Sequence, residues 1–195
     1  MQKHGSLAGF PHATEETTMD PASFMEKECD ILIPCAMEKA INKDNVHHLN
    51  TKLVVEGANG PTTFIAEQEL EKQGVIVVPD MLANGGGVTV SYFEWLKNLD
   101  HVAPGKLTKK YQEKQNLKLL SSLGYSFPKR SPHMKNLEGA KEIDIVYSGL
   151  EEIMTSATRD SWKYAQEHNL SFRDACLGRA IKKIHSHFEQ CGLMI

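Results

Sequence analysis

Three short, unbroken apolar runs separated by helix-length stretches constrain this chain more than any other feature. They are Asp30-Ile31-Leu32-Ile33-Pro34, Leu53-Val54-Val55-Glu56 and Val75-Ile76-Val77-Val78-Pro79. Runs of this length, rich in β-branched residues and closed by turn formers, read as strands, and their lack of alternation predicts burial on both sheet faces. The stretches between them predict helices over Lys39 to Asn50 and Thr62 to Gln73. The second is the better specified: Pro61 suits a first helical turn, Thr62 and Thr63 offer capping hydroxyls, and Gly74 supplies a left-handed stop. The expected fold class is α/β, a β-α-β-α-β unit with a parallel sheet. Right-handed crossovers put all three strand ends on one edge, where open α/β sheets bind ligands.

The segments just past those ends are Pro34-Cys35-Ala36, Gly57-Ala58-Asn59-Gly60 and Ala83-Asn84-Gly85-Gly86-Gly87. Small side chains there let a flat ligand approach the backbone, and each Asn carries a donor and an acceptor suited to a carboxamide or a ribose hydroxyl. A single glycine-rich segment after a strand is often only a turn; three at corresponding ends argue for more. The glycine triplet leads into a helical pattern from Val88 to Lys97, with Val88, Tyr92, Trp95 and Leu96 on one stripe. Its N-terminal amides favour a carboxylate or a polarised carbonyl, and Ser91 offers a hydroxyl one turn in. For Ser91 taken alone, a solvated or back-bonded helix serine is the simpler reading.

The chain has 195 residues, 41% hydrophobic and 24% charged, which is globular composition and excludes disordered and collagen-like classes. No run approaches the roughly 18 apolar residues of a membrane span. Residues 1–100 hold 7 basic and 15 acidic side chains, and the remainder 15 and 10, so the net charge of −3 conceals halves of −8 and +5. Scattered lysines on the positive half are a weak reason to propose nucleic acid, and neither nucleic acid nor membrane is an expected partner. Cys29, Cys35, Cys176 and Cys191 form no C-x-x-C pair, so reduced thiols are expected. His185, His187 and Cys191 tempt a metal reading, but His-x-His spacing on a helix sends the imidazoles to different faces, and no metal site is expected.

Residues 101–141 read as an excursion from the core, interrupted by Pro104, Gly105, Gly124, Pro128 and Pro132, with helical rhythm only from Leu107 to Leu123. Beyond it Ile143, Val146, Leu150, Ile153, Met154 and Ala157 recur at helical spacing as far as His168-Asn169. A last helix is expected from Ser171, whose Ser-Phe-Arg-Asp start resembles a capping box, to a stop at Gly192.

The residues Asp30 to Ile33, Glu56-Gly57-Ala58-Asn59-Gly60-Pro61-Thr62-Thr63, Pro79-Asp80 and Asn84 through Asn98 closely resemble the glutamate dehydrogenase family, most strongly its animal mitochondrial form. The likeness extends more loosely from Lys3-His4-Gly5 to the final helix, through Asp144-Ile145-Val146 and Ser148-Gly149-Leu150. The resemblance implies NAD- or NADP-dependent oxidative deamination of L-glutamate to 2-oxoglutarate and ammonia, in a hexamer of the mitochondrial matrix. Carried over by position, Ala36, Asn59 and Asn84 correspond to cofactor contacts and Ser91 to the serine that reaches the substrate carboxylate. Lys97 falls where animal members make a second nucleotide contact. Ala103 and Ser156 replace a serine and an arginine of the family's ADP site, which predicts weakened ADP response.

The same resemblance implies a domain plan: residues 1–100 as the second half of a Rossmann-like dinucleotide domain, 101–141 as a shortened antenna, and 142–195 as closing helices on the sheet. Met1 then opens in mid-family, with the substrate domain and its catalytic Lys and Asp upstream. No G-x-G-x-x-G occurs, because Gly85-x-Gly87 is followed by Val90. The chain alone is therefore expected to be inactive. The alternatives are a truncated gene product, a non-catalytic or interfering partner of complete subunits, and a small nucleotide-binding module.

Overall fold

The structure is a computed structural model that describes residues 11–12, 21–100, 105–106, 108–125 and 137–192. The expectations that rest on Lys3, His4, Gly5, Ala103 and much of the excursion lie outside the described residues. The chain divides into two compact units, Met1–Ala83 and Asn84–Ile195.

The first unit is α/β. Helix α1 (Pro21–Met25) precedes strand β1 (Ile31–Leu32), then come β2 (Leu53–Val55), helix α2 (Phe64–Lys72), β3 (Ile76–Val78) and the short helix α3 (Asp80–Ala83). The strands form one sheet in the order β1-β2-β3, with both pairs parallel. Leu32 pairs with Val54 and Val54 with Val77, so these three share a face. Val54 and Val77 are buried there with Ile41, Val46, Leu49, Ala66, Leu70 and Val75, and Leu32 and Met25 pack at the margin. The opposite face is not covered as expected: Ile31 and Ile33 are each more than half exposed, and Ile76 is 42% exposed. The runs are apolar on both sides, but among the described residues of this unit one helix and one loop cover a single face.

The helix expected over Lys39 to Asn50 is absent. Ile41 instead makes a parallel bridge with Thr62, its N–H donating to the Pro61 carbonyl at 2.8 Å and its carbonyl accepting from Thr63 at 2.9 Å. Only a 3-10 turn at Val46–His48 follows. The cause is local side-chain competition for the backbone. The Asn42 N–H donates to Asn45 Oδ1, the Asp44 N–H to Asn42 Oδ1, and Asn45 Nδ2 to the Ala40 carbonyl. The start of α2 is also corrected. Pro61 lies before the helix rather than in its first turn, and Thr63 holds the N-cap position without a side-chain capping bond; the Thr62 and Thr63 hydroxyls are both buried with no hydrogen-bond partner.

The second unit is helical among the described residues, with α4 (Gly86–Asp100), α5 (Lys109–Ser122), α6 (Glu142–His168) and α7 (Phe172–Cys191). Helix α6 starts where Asp144 Oδ2 accepts the Lys141 N–H and ends at left-handed Asn169. Helix α7 starts where Ser171 Oγ accepts the Asp174 N–H and ends at Gly192. The two pack through Ser161, Ala165, Phe172, Ala175 and Cys176, with an edge-on Trp162–Phe172 contact. Arg179 ties them further by donating to Ser161 Oγ, the Ala157 carbonyl and Asp160 Oδ2. Helix α4 meets α6 where a Cβ on Gly149 would lie only 3.3 Å from the Phe93 ring.

Candidate functional site

Parallel pairing brings the carboxyl ends of β1, β2 and β3 to one edge of the first unit, and the loops leaving that edge are tightly bonded to one another. The N–H groups of Gly57 and Ala58 both donate to the Pro34 carbonyl, at 3.1 and 2.9 Å. That approach explains the glycine. A Cβ at position 57 would sit 2.5 Å from Cys35 Sγ, a separation no side chain tolerates without a shift. The Glu56 N–H donates to the Val78 carbonyl at 3.1 Å and so continues the ladder one residue past β2.

Two acidic residues finish the edge. Fully buried Glu56 accepts the Asp80 N–H on Oε2 at 2.8 Å. Asp80 in turn accepts the Gly60 N–H on Oδ2 at 2.8 Å and the Met81 N–H on Oδ1 at 2.7 Å. Gly60 has φ +54 and accepts the Lys39 N–H at 2.8 Å, so both of its peptide groups are tied. Ala36 and Asn59 lie exposed in these loops, on the same sheet edge.

Asn84, Ser91 and Lys97 belong to the second unit. Asn84 is half-buried two residues before α4. Ser91 is exposed, and its hydroxyl donates back to the Gly87 carbonyl at 3.0 Å, as Thr89 does to Gly85. The first turn of α4 carries no acidic side chain, and the space where a Gly87 Cβ would lie is open, so the amide end of the helix is accessible there. Lys97 pairs with Glu142 of α6 at 2.5 Å. The two border a cleft of about 240 Å³ lined also by Val90, Phe93, Glu94 and Val146. Ser156 donates to Glu152 one turn back in α6.

Of the residues tempting as metal ligands, His185 pairs with Glu189 on its own helix, and His187 Nδ1 lies 3.9 Å from Cys191 Sγ. No helix among the described residues is long and apolar enough to cross a membrane.

The sequence profile of the Glutamate/Leucine/Phenylalanine/Valine dehydrogenases matches residues 1–118, well over half of the chain. The chain belongs to this dehydrogenase family. It is 45% identical over 193 residues to the mitochondrial glutamate dehydrogenase of Dictyostelium discoideum, a match covering 97% of this chain and 38% of that protein. Among solved structures, glutamate dehydrogenase from Peptoniphilus asaccharolyticus is 29% identical at a TM-score of 0.57, covering 82% of this chain and 31% of that one. A hetero-hexameric glutamate dehydrogenase from Thermus thermophilus shares the fold over the whole chain, at 21% identity and a TM-score of 0.69, across 36% of its own length. The chain thus spans about two fifths of the Dictyostelium relative's length.

Glu56 and Asp80 stand in sequence blocks named above, yet no motif or period marks either for a role. Their bonds join residues 20 and 24 positions apart. The signal available was an acidic residue at the end of each of two apolar runs, one of them directly before the glycine-rich turn.

Proposed function

We propose that this chain carries the nicotinamide-side portion of a glutamate dehydrogenase active site. Ala36, Asn59 and Asn84 contact the nicotinamide and ribose end of NAD or NADP, and Ser91 binds the substrate carboxylate. The observation that carries the reading is the sheet edge itself: parallel strand ends bearing exposed Ala36 and Asn59, in a member of this family. The edge fits that end of the cofactor. Ala36 and Gly57 keep it free of bulk, while the Asn59 amide has the donor and acceptor a carboxamide or ribose hydroxyl needs. The pyrophosphate is not provided for, since the 195 residues contain no G-x-G-x-x-G turn.

A bound nicotinamide ring supplies the hydride acceptor in oxidation of L-glutamate to 2-oxoglutarate and ammonia. The residues of this chain bind and orient. Ser91 gives up its bond to the Gly87 carbonyl and turns its hydroxyl to the substrate carboxylate, which the positive end of α4 also attracts. Lys97, engaged by Glu142, must break that pair before it contacts a second nucleotide. Proton transfer contributes about 10² to 10⁴ in rate and orientation more, so the 195 residues, which hold no counterpart of the family's catalytic Lys and Asp, bind without turning over. A mitochondrial matrix location and assembly into family hexamers belong to the same proposal.

Adding NAD or NADP while recording backbone amide spectra of the polypeptide tests the reading. Shifts centred on Ala36 and Asn59 are expected, with no glutamate-dependent NADH formation; shifts confined to α5, α6 and α7 overturn it. A second reading, association with complete subunits as a non-catalytic partner, is favoured by the apolar faces left exposed at Ile31, Ile33 and Ile76 and at Ile181, Ile184 and Phe188. Gel filtration with a complete family enzyme decides it, because a monomer that never co-elutes removes the option.

A further inference from the structure

The bonds at the sheet edge carry one step more, which rests on the nicotinamide reading above. Asn59 is bracketed. On its amino side the N–H groups of Gly57 and Ala58 bond to the Pro34 carbonyl, and on its carboxyl side the Gly60 N–H bonds to Asp80 Oδ2. Gly60 stands at φ +54, a conformation that glycine adopts freely and that leaves the direction of its N–H to be fixed by a partner. Asp80 is that partner. It is itself held from behind, because its own N–H donates to Glu56 Oε2, and Glu56 is fully buried at the end of β2. Its second oxygen takes the Met81 N–H of its own helical turn, which fixes the plane of the carboxylate.

We propose that Asp80, backed by Glu56, is a positioning residue that sets the place of Asn59 and thereby the affinity of the edge for a nicotinamide nucleotide. Asp80 is given no contact with the cofactor; it acts through Gly60. An acceptor bearing full charge makes a shorter and stronger bond to a backbone N–H than a neutral one, so the glycine turn is held by more than its own sequence provides. A second strong acceptor inside the protein orients the first, and the pair forms one relay from the buried end of β2 to the exposed Asn59.

The test compares unsubstituted chain, Asp80→Asn and Asp80→Ala by amide spectra across pH and by titration with NAD. In the unsubstituted chain the Gly60 amide resonance is expected to follow titration of the Asp80 carboxyl. In Asp80→Ala that pH response disappears, the Asn59 amide loses order, and NAD binding weakens about tenfold, the scale of one lost charge-assisted bond. Asp80→Asn keeps an oxygen acceptor and restores most of the affinity without the pH response. A merely structural tie predicts something else: both variants melt lower, with NAD affinity unchanged in whatever fraction is folded, and that result overturns the proposal. So does a Gly60 resonance indifferent to pH and to both substitutions. Should NAD leave every amide of the unsubstituted chain unmoved, the cofactor reading fails, and the hold of Asp80 on Asn59 is still decided by the Gly60 response and the order of Asn59.

Discussion

The two units of this chain use their apolar residues in opposite ways. In the sheet unit, two short layers enclose one cluster in which Ile41, Val54, Ala66 and Leu70 are fully buried. In the helical unit, far longer elements bury only Ala165, Phe172, Ala175 and Cys176, with Ser161, among the described residues. Helix α7 shows the contrast within a single element. Its first turn and a half is packed on α6, and then Leu177, Ile181, Ile184 and Phe188 recur at four, three and four residues on an exposed face. A helix carrying such a stripe is built to be covered. The difference teaches that the sheet edge rests on a core this chain supplies itself, whereas the helical unit leaves apolar surface for another surface to bury.

The largest expected effects test that contrast directly. Leu70→Ala removes a fully buried side chain of the sheet core and should cost about 2 to 5 kcal/mol in urea denaturation. Ile184→Ala, at a position 71% exposed, should change stability by no more than about 0.5 kcal/mol. Comparable losses for the two would mean that the α7 stripe is already covered.

A sharper probe lies in the loops of the edge. Gly57→Ala places a methyl against Cys35 Sγ and should cost about 1 to 3 kcal/mol. Adding Cys35→Ala removes the obstructing sulfur and should recover most of that loss, a coupling that a double-mutant cycle measures. Strict additivity would show that the close approach of these loops is not what requires glycine.

The smallest effect concerns the one thiol that the helical unit buries. Desolvation pushes the Cys176 thiol up, against weaker opposing pulls from the Ser161 hydrogen bond and the charges of Arg179 and Arg173. The folded chain therefore keeps this proton at pH values where the unfolded chain has released it. Its contribution is complete below the ordinary thiol range near about 8.5, and stability falls as pH rises through that range. Cys176→Ala should flatten the dependence of the urea midpoint above pH 8; an unchanged slope would contradict the assignment.

How much of this was legible before the fold depended on where the bonds run. The strands fell inside the three apolar runs because proline or glycine closes each at its carboxyl end, and α6 and α7 followed from uninterrupted 3.6-residue rhythm. The segment from Lys39 to Asn50 has the length of a crossover helix between two strands, yet Asn42 and Asn45 turn its backbone back on itself. The exposed face of Ile31, Ile33 and Ile76 was hidden for a different reason, since a run apolar on both sides says nothing about how many covers exist. At the edge, the loops carrying Ala36 and Asn59 were foreseeable from parallel strand order. The Glu56–Asp80–Gly60 relay was not, because side-chain-to-backbone bonds spanning 20 and 24 residues leave no period to read.

Photolabelling with a dinucleotide bearing its reactive group on the nicotinamide ring tests the central claim most directly. The account predicts label on the peptides containing Ala36 and Asn59, displaced by excess NAD. Label that concentrates on α5 or α7, or that excess NAD fails to displace, would contradict it.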